Sequence, residues 1–249
     1  MSHRIHLADI STLPTQKISQ AEAETENIRL TEKFSRIQNK LYAQKKYAVL
    51  IVLQGMDAAG KDGAVKNVFT GVNPAGCNVR SFKVPTVEEA SHHFLWRINR
   101  ACPEKGMIHI FNRSHYEDIL MPVINKTVSK KLIKERYEEI NVFERGLIKD
   151  HTILLKFYLH VSHKEQLKRL KDRKTDAHKR WKYQKGDILA ISKHKEYKKV
   201  YGSIFEHCSE DAPWQIVPAD KKWYKNYYIL NAIVKELEKY DIHYPHVKL

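Results

Sequence analysis

Little in this sequence interrupts regular structure. Nine glycines and eight prolines are scattered through 249 residues, no stretch is Ser/Gly-rich or of low complexity, and no segment repeats at a fixed period. Nothing reads as a dividing linker, so residues 1–249 are expected to form a single domain large enough to fill its own core. Cysteine is equally scarce. Cys77, Cys102 and Cys208 are odd in number, far apart and outside any C-x-x-C pair, which argues against a disulfide framework and a zinc site and for ordinary thiols in a reducing compartment. No apolar run approaches the roughly 20 residues of a membrane-spanning helix, and the start Met1-Ser-His-Arg lacks the apolar region of a secretory signal. A soluble, cytoplasmic chain with no membrane partner is expected.

Acidic residues are in deficit. Asp and Glu number 29 against 44 Lys and Arg, a formal charge of +15, and such an excess calls for a polyanionic partner: nucleic acid, an acidic membrane surface or a phosphate-rich substrate. The excess is uneven, since residues 163–200 hold fourteen Lys/Arg against five Asp/Glu.

Apolar periodicity gives the order of elements. Residues 18–46 carry Ile28, Leu30, Phe34, Ile37 and Leu41 at helical spacing and form an amphipathic helix leading into a first strand at 47–53. A helix at 61–70 is stopped by Gly71 and Asn73-Pro74; a short strand at 79–83 precedes a helix from the capping box Thr86-Val-Glu-Glu89 through about residue 100. A buried strand at 107–111, a long helix at 129–149 with Leu132, Ile133, Tyr137 and Ile140 on one face, and a strand at 153–160 follow. The capping box Ser162-His-Lys-Glu165 opens the basic segment. A strand at 214–217, Asp220 as an N-cap and a closing helix at 223–240 complete the chain. This alternation predicts an α/β fold: a parallel sheet flanked by helices on both faces.

The most informative segment follows the first strand. Gly55-Met-Asp-Ala-Ala-Gly-Lys-Asp-Gly63 is a phosphate-binding loop (P-loop) pattern, G-x-x-x-x-G-K. Lying between a buried strand and a helix, it can aim backbone N–H groups and a helix N-terminus at phosphate oxygens while Lys61 supplies positive charge. It departs from the usual pattern at Asp62, where a hydroxyl would hold Mg²⁺. Asp57 and Asp62 put two carboxylates in a loop built for anions, a repulsive arrangement unless a divalent cation or a basic cluster intervenes; Mg²⁺ is the natural resolution. For Asp62, a favourable first-turn contact with the helix dipole is an equal alternative to ligation.

At the end of the 107–111 strand, Asn112, Arg113 and Glu117 offer a neutral oxygen ligand, a bidentate phosphate clamp and a carboxylate, in the place where phosphate-loop enzymes carry an acid beside the loop. The alternative is a loop closed by internal turn hydrogen bonds. His115 reads as an exposed, inert histidine. The basic segment places Arg169 and Arg173 at i, i+4 on one helix face, then Lys179-Arg-Trp-Lys182 and Asp187. Over a phosphate loop it would be a lid whose arginines neutralise a transferring phosphoryl group. Trp181 and Tyr183 could instead stack on nucleic-acid bases, and a solvated basic face is the plainest alternative. Nothing else here is built like a nucleic-acid module, so nucleic acid is not an expected partner.

Several motifs in one order resemble polyphosphate kinase family 2. They are the loop 55–63 with its Asp62, Gly71-Val-Asn-Pro74, Ser81-Phe-Lys-Val-Pro85, Phe94-Leu-Trp-Arg97, Ile110-Phe-Asn-Arg-Ser-His-Tyr-Glu117 and Pro213-Trp-Gln-Ile-Val-Pro-Ala-Asp-Lys-Lys-Trp-Tyr224, spanning about residues 25–240. The resemblance implies a thymidylate-kinase-like fold with a lid at about 163–200, and reversible, Mg²⁺-dependent transfer of the terminal phosphoryl group of inorganic polyphosphate to adenine or guanine nucleotides. The Phe-Asn-Arg-Ser-x-Tyr-Glu form is similar to the subgroup acting on both AMP and ADP; members with Asp at position 112 resemble the subgroup acting on diphosphates. By the same resemblance Asp57 and Lys61 position and neutralise phosphates, and Arg113 and Arg173 clamp the transferring group. Asp57, Asn112 and Glu117 hold metal, and Lys83 and Arg97 meet the nucleotide. Phosphate contacts are implied for Gly55, Ala58, Ala59, Gly60, Asp62 and Gly63 of the loop and for Arg169 and Lys182 of the basic segment. A homo-oligomer is the expected assembly, dimers being commonest. A diphosphate-only enzyme of the same family and an ATP-dependent nucleotide kinase sharing loop and lid are the alternatives.

Overall fold

The computed structural model describes residues 5–183 and 191–246. Strands β1 (Ala48–Gln54), β2 (Cys77–Ser81), β3 (Ile108–Asn112), β4 (Thr152–His160) and β5 (Trp214–Pro218) form one sheet in the order β2-β3-β1-β4-β5. Every neighbouring pair is parallel, as the alternation of elements predicts. β1 lies at the centre and is buried on both faces. Its side chains alternate between two cores. Val49, Ile51 and Leu53 join the core beneath helices α1 (Gln20–Gln44), α2 (Lys61–Val68) and α9 (Lys222–Leu237). Leu50 and Val52 face the core built with α5 (Glu117–Asn125), α6 (Lys130–Lys149) and α8 (His194–His207). This period of two explains why a wholly apolar run encodes one strand serving two layers.

The chain leaves β1 for β2 and β3 on one side and for β4 and β5 on the other, so the sheet's topological switch point lies at the carboxyl end of β1, where open α/β sheets bind ligands. The local signals hold at most boundaries. Ser19 and Ser129 cap α1 and α6, and Ser19 completes a capping box with Glu22. Pro122 inside α5 has no N–H for the Asp118 carbonyl, which accepts instead from Arg136 of α6.

Several expectations need correction. The helix expected from Thr86 through residue 100 is two short pieces, α3 (Val87–Ser91) and α4 (Trp96–Asn99): the capping box forms, but His92 is extended and ends the first piece. Asp220 is not the N-cap of α9, because its carboxylate is taken by the Ser162 N–H at 2.8 Å and the Thr12 hydroxyl at 2.9 Å; Lys221 occupies that position. Ser162 caps α7 (His163–Thr175), but Glu165 does not complete the box, since its carboxylate pairs with Arg169 at 2.9 Å. Ile28 and Leu132 are exposed rather than inward. β2 begins two residues earlier than expected and is exposed at the sheet edge.

All three cysteines are free thiols, and burial pushes Cys77 up to about 11 and Cys102 and Cys208 to about 12. Among the described residues no helix is long and apolar enough to cross a membrane.

Candidate active site

The loop after β1 is wound so tightly that its composition follows from its geometry. A Cβ on Gly55 would lie 3.1 Å from the Leu159 carbonyl of β4, and Gly60, at φ +95°, occupies the left-handed region that glycine adopts without strain. Gly60 is the N-cap of α2, and the Ala64 N–H closes on its carbonyl at 3.0 Å. Helix geometry therefore leaves the N–H groups of Lys61, Asp62 and Gly63 without intrahelical acceptors, at the positive end of the helix. The Lys61 ammonium folds back over its own loop and donates to the Gly55 carbonyl at 2.6 Å. Burial, with Arg113 nearby, holds this lysine down at about 8.

The second wall is the turn after β3. The Arg113 N–H donates to the Leu53 carbonyl, and Arg113 is left-handed at φ +65°, which turns its side chain towards the loop. Its guanidinium donates to the Asp57 carboxylate at 2.9 Å. Asn112 donates to the Asp62 carboxylate, also at 2.9 Å. His115 is wholly buried, contrary to the expectation of an exposed residue, and with Tyr116 it meets the carboxylate of Glu144 on α6. Glu117 starts α5 with its carboxylate 3.1 Å from the side-chain amide of Gln54, which donates to it when turned with its nitrogen towards Glu117 and its oxygen towards the Ser114 N–H. Burial raises the Glu117 carboxyl above its ordinary value, against the pull of Arg113 and Lys61.

Loop and turn enclose one side of a cavity of about 650 Å³. The opposite side comes from the basic segment, which brings Arg173, Lys179 and the exposed Trp181, and from α9, which brings Lys222 and Lys225. The profile of polyphosphate kinase 2 matches residues 17–245 of this chain. The chain belongs to the polyphosphate kinase 2 family. It is 42% identical over 217 residues to the AMP/ADP-polyphosphate phosphotransferase of Meiothermus ruber, covering 87% of this chain and 81% of the relative. It is 37% identical to the ADP-polyphosphate phosphotransferase of Rhodopseudomonas palustris, covering 86% and 78%. The crystal structure of polyphosphate kinase 2 from Arthrobacter aurescens superposes with a TM-score of 0.95 at 33% identity, over 98% of this chain and 89% of that one.

Most of the residues that the resemblance to polyphosphate kinase 2 singled out converge here. Asp57, Ala58, Ala59, Gly60, Lys61, Asp62 and Gly63 line the cavity together with Lys83, Asn112, Arg113, Arg169 and Arg173. Three expected contacts are placed elsewhere. Gly55 lies behind the loop against β4. Arg97 is buried away from the cavity, tied to the Lys83 carbonyl at 2.9 Å and to Asp118 at 3.3 Å, so it braces the segment carrying Lys83. Glu117 does not line the cavity. Lys182 lies in a short 3₁₀ turn, Arg180–Lys182, and its side chain is outside the described residues, as is Asp187.

Of the expected metal set, Asp57 and Asn112 line the cavity and Glu117 stands beside it; Asn112 donates to the Asp62 carboxylate, and Glu117 faces the side-chain amide of Gln54. Among the described residues no group of three or more His, Cys, Asp or Glu forms a metal cage. Sequence reasoning missed Lys225, one residue beyond a motif and one turn into α9, and Gln166, an unremarked amide in a basic helix.

Proposed function

We propose that this protein transfers the terminal phosphoryl group of inorganic polyphosphate to nucleoside mono- and diphosphates, AMP and ADP first among them, reversibly and with Mg²⁺. The observation that carries the reading is a phosphate loop at one wall of a cavity whose other walls are cationic, from Arg113, Arg173, Lys179, Lys222 and Lys225. A polyanionic donor needs such a lining along its length, and the lid segment supplies much of it.

The reaction requires no covalent enzyme intermediate. An oxygen of the acceptor's terminal phosphate attacks the end phosphorus of the chain, the bond to the penultimate phosphate breaks, and the shortened polyphosphate leaves with the electron pair. Lys61, Arg113, Arg173 and the loop amides stabilise the spread negative charge and hold the groups in line. A cation shared between protein and substrate fits the donors present: Asp57 and Asp62 would hold Mg²⁺, with Asn112 orienting Asp62, and phosphate and water would complete the shell. When bound, Mg²⁺ adds neutralising charge at the phosphate oxygens.

The test is incubation of purified protein with polyphosphate and AMP, ADP, GMP or GDP, without ATP. Formation of ADP and ATP from the adenine acceptors is expected, and the guanine arms report base preference. No product in the absence of ATP, with nucleotide phosphorylated once ATP is added, would establish the ATP-dependent kinase instead.

A further inference from the structure

A set of side chains from other elements reaches the carbonyls of the phosphate loop, and two of them, Arg169 and Lys225, also border the cavity. The Gly55 and Met56 carbonyls accept from the loop's own Lys61, at 2.6 and 3.3 Å. The next four are held from other elements. Gln166 of α7 donates to the Asp57 carbonyl at 2.8 Å, Arg169 donates to those of Ala58 and Ala59, both at 3.0 Å, and Lys225 of α9 donates to that of Gly60 at 2.8 Å. Six consecutive carbonyls are thus fixed. A peptide unit whose carbonyl is fixed has its neighbouring N–H fixed as well, because the unit is planar.

Arg169 is the decisive member. A guanidinium has five N–H donors. Here Nε serves Glu165 at 2.9 Å, Nη1 serves Ala58 and Ala59, and Nη2 serves the Ala219 and Asp220 carbonyls at 2.7 and 3.1 Å. All five have protein acceptors, so a phosphate could be met only by breaking one of these bonds. Gln166 is oriented in turn: its carbonyl oxygen accepts from His194 Nδ1 of α8 at 2.5 Å, which leaves the amide nitrogen to face the loop. Gln166 is 1% exposed and Lys225 2%, so neither is a surface residue free to choose another partner.

We infer that Gln166, Arg169 and Lys225 are positioning residues that preset the phosphate loop by holding its carbonyls, and that Arg169, although it borders the cavity from the lid helix, is not a phosphate ligand. The inference rests on the phosphotransferase reading for its kinetic arm. Its structural arm, amide exchange of the substrate-free protein, does not.

The experiment compares Gln166→Leu and Arg169→Met with Arg173→Met, a cavity arginine, and with the unaltered protein. Hydrogen exchange at loop residues 57–63 is measured without substrate, and kcat/KM and the salt dependence of polyphosphate binding are measured with it. Gln166→Leu removes one neutral donor and no charge. Both carbonyl-donor variants are expected to exchange the loop amides faster and to lose about 10- to 100-fold in kcat/KM, while the slope of log affinity against log salt stays unchanged. Arg173→Met is expected to lower that slope by about one.

A slope reduced by about one in Arg169→Met would make it a phosphate ligand and overturn the inference. So would a Gln166→Leu protein with normal loop exchange and normal kcat/KM, even with a lower melting temperature. Should Arg169→Met not fold, Gln166→Leu decides alone. Should the unaltered protein transfer nothing from polyphosphate, the functional reading fails while the exchange data still test the cradle.

Discussion

Asn112 faces Asp62 at 2.9 Å, so the residue at 112 sets the charge of a pair pointing into the phosphate cavity. Asn112→Asp would bring two carboxylates together, and an extra unit charge about 4 Å from a cation is worth about 1 kcal/mol even at the dielectric constant of water. The half-saturating Mg²⁺ concentration in the transfer assay is therefore expected to fall by about fivefold or more, with AMP turnover falling relative to ADP; an unchanged Mg²⁺ titration would separate this pair from the metal. Lys61→Ala removes the loop's own cation and is expected to cost about 10²- to 10³-fold in kcat, read at saturating substrate. At this scale the sequence identified what a loop pattern can identify. Asp57, Lys61, Asn112 and Arg113 were legible because a glycine-rich turn after a buried strand and a polar strand end both converge on one edge of the sheet. Arg97 and Arg169 were not. A sequence shows a guanidinium and its helical spacing but not the destination of its five donors, and in both cases these go largely to backbone carbonyls and carboxylates of the protein.

Elements depend on pairings that no single segment contains. β4 is almost wholly buried, yet carries Lys156 in its middle, 1% exposed. The ammonium is satisfied by Glu144 of α6 at 2.5 Å, by the Tyr116 hydroxyl at 2.9 Å and by the Cys208 carbonyl at 2.8 Å. Burial alone would raise the Glu144 carboxyl, but Lys156 and His115 hold it below its ordinary value. Through His115 and Tyr116 this group fixes the turn between Arg113 and Glu117, and so the cavity wall formed by β3. Lys156→Met would strand the Glu144 charge in the core at a cost of about 3–5 kcal/mol, and Lys156→Met with Glu144→Leu should recover much of that loss. Urea unfolding of the two variants checks this; a single variant within about 1 kcal/mol of the parent would show the pair to be dispensable. The strands themselves were legible as apolar runs bounded by turn residues. The partner of Lys156 was not, because it is set by the packing of α6 on β4. The same limit misplaced Asp220. Its position before a helix is a capping signal, but the adjacent parallel strand end brings the Ser162 N–H to it first.

Across the whole molecule, a charge of +15 and a cationic cavity make binding of a polyanion depend on the protons the site already holds. Burial, with Arg169 nearby, keeps Lys225 at about 7 in the free protein, and burial with Arg113 nearby keeps Lys61 at about 8. Lysine in an unfolded chain titrates near about 10.4. Between pH 7 and 10 the unfolded state therefore binds more protons than the folded one, and the stability of the free protein rises with pH across that window. Below pH 7 both lysines are charged in the fold and their burial opposes folding in full. Polyphosphate in the cavity reverses the depression, since negative charge beside an ammonium favours its protonated form. Binding at pH 8 is accordingly expected to take up protons, and affinity to fall as pH rises from 8 to 10. Titration calorimetry at pH 8 in two buffers of different ionisation heat measures the uptake directly. Heats that differ between the buffers, by less in Lys225→Met, would tie Lys225 to the anion. Equal heats would mean that the cavity binds the chain with these two ammonium groups already fully charged.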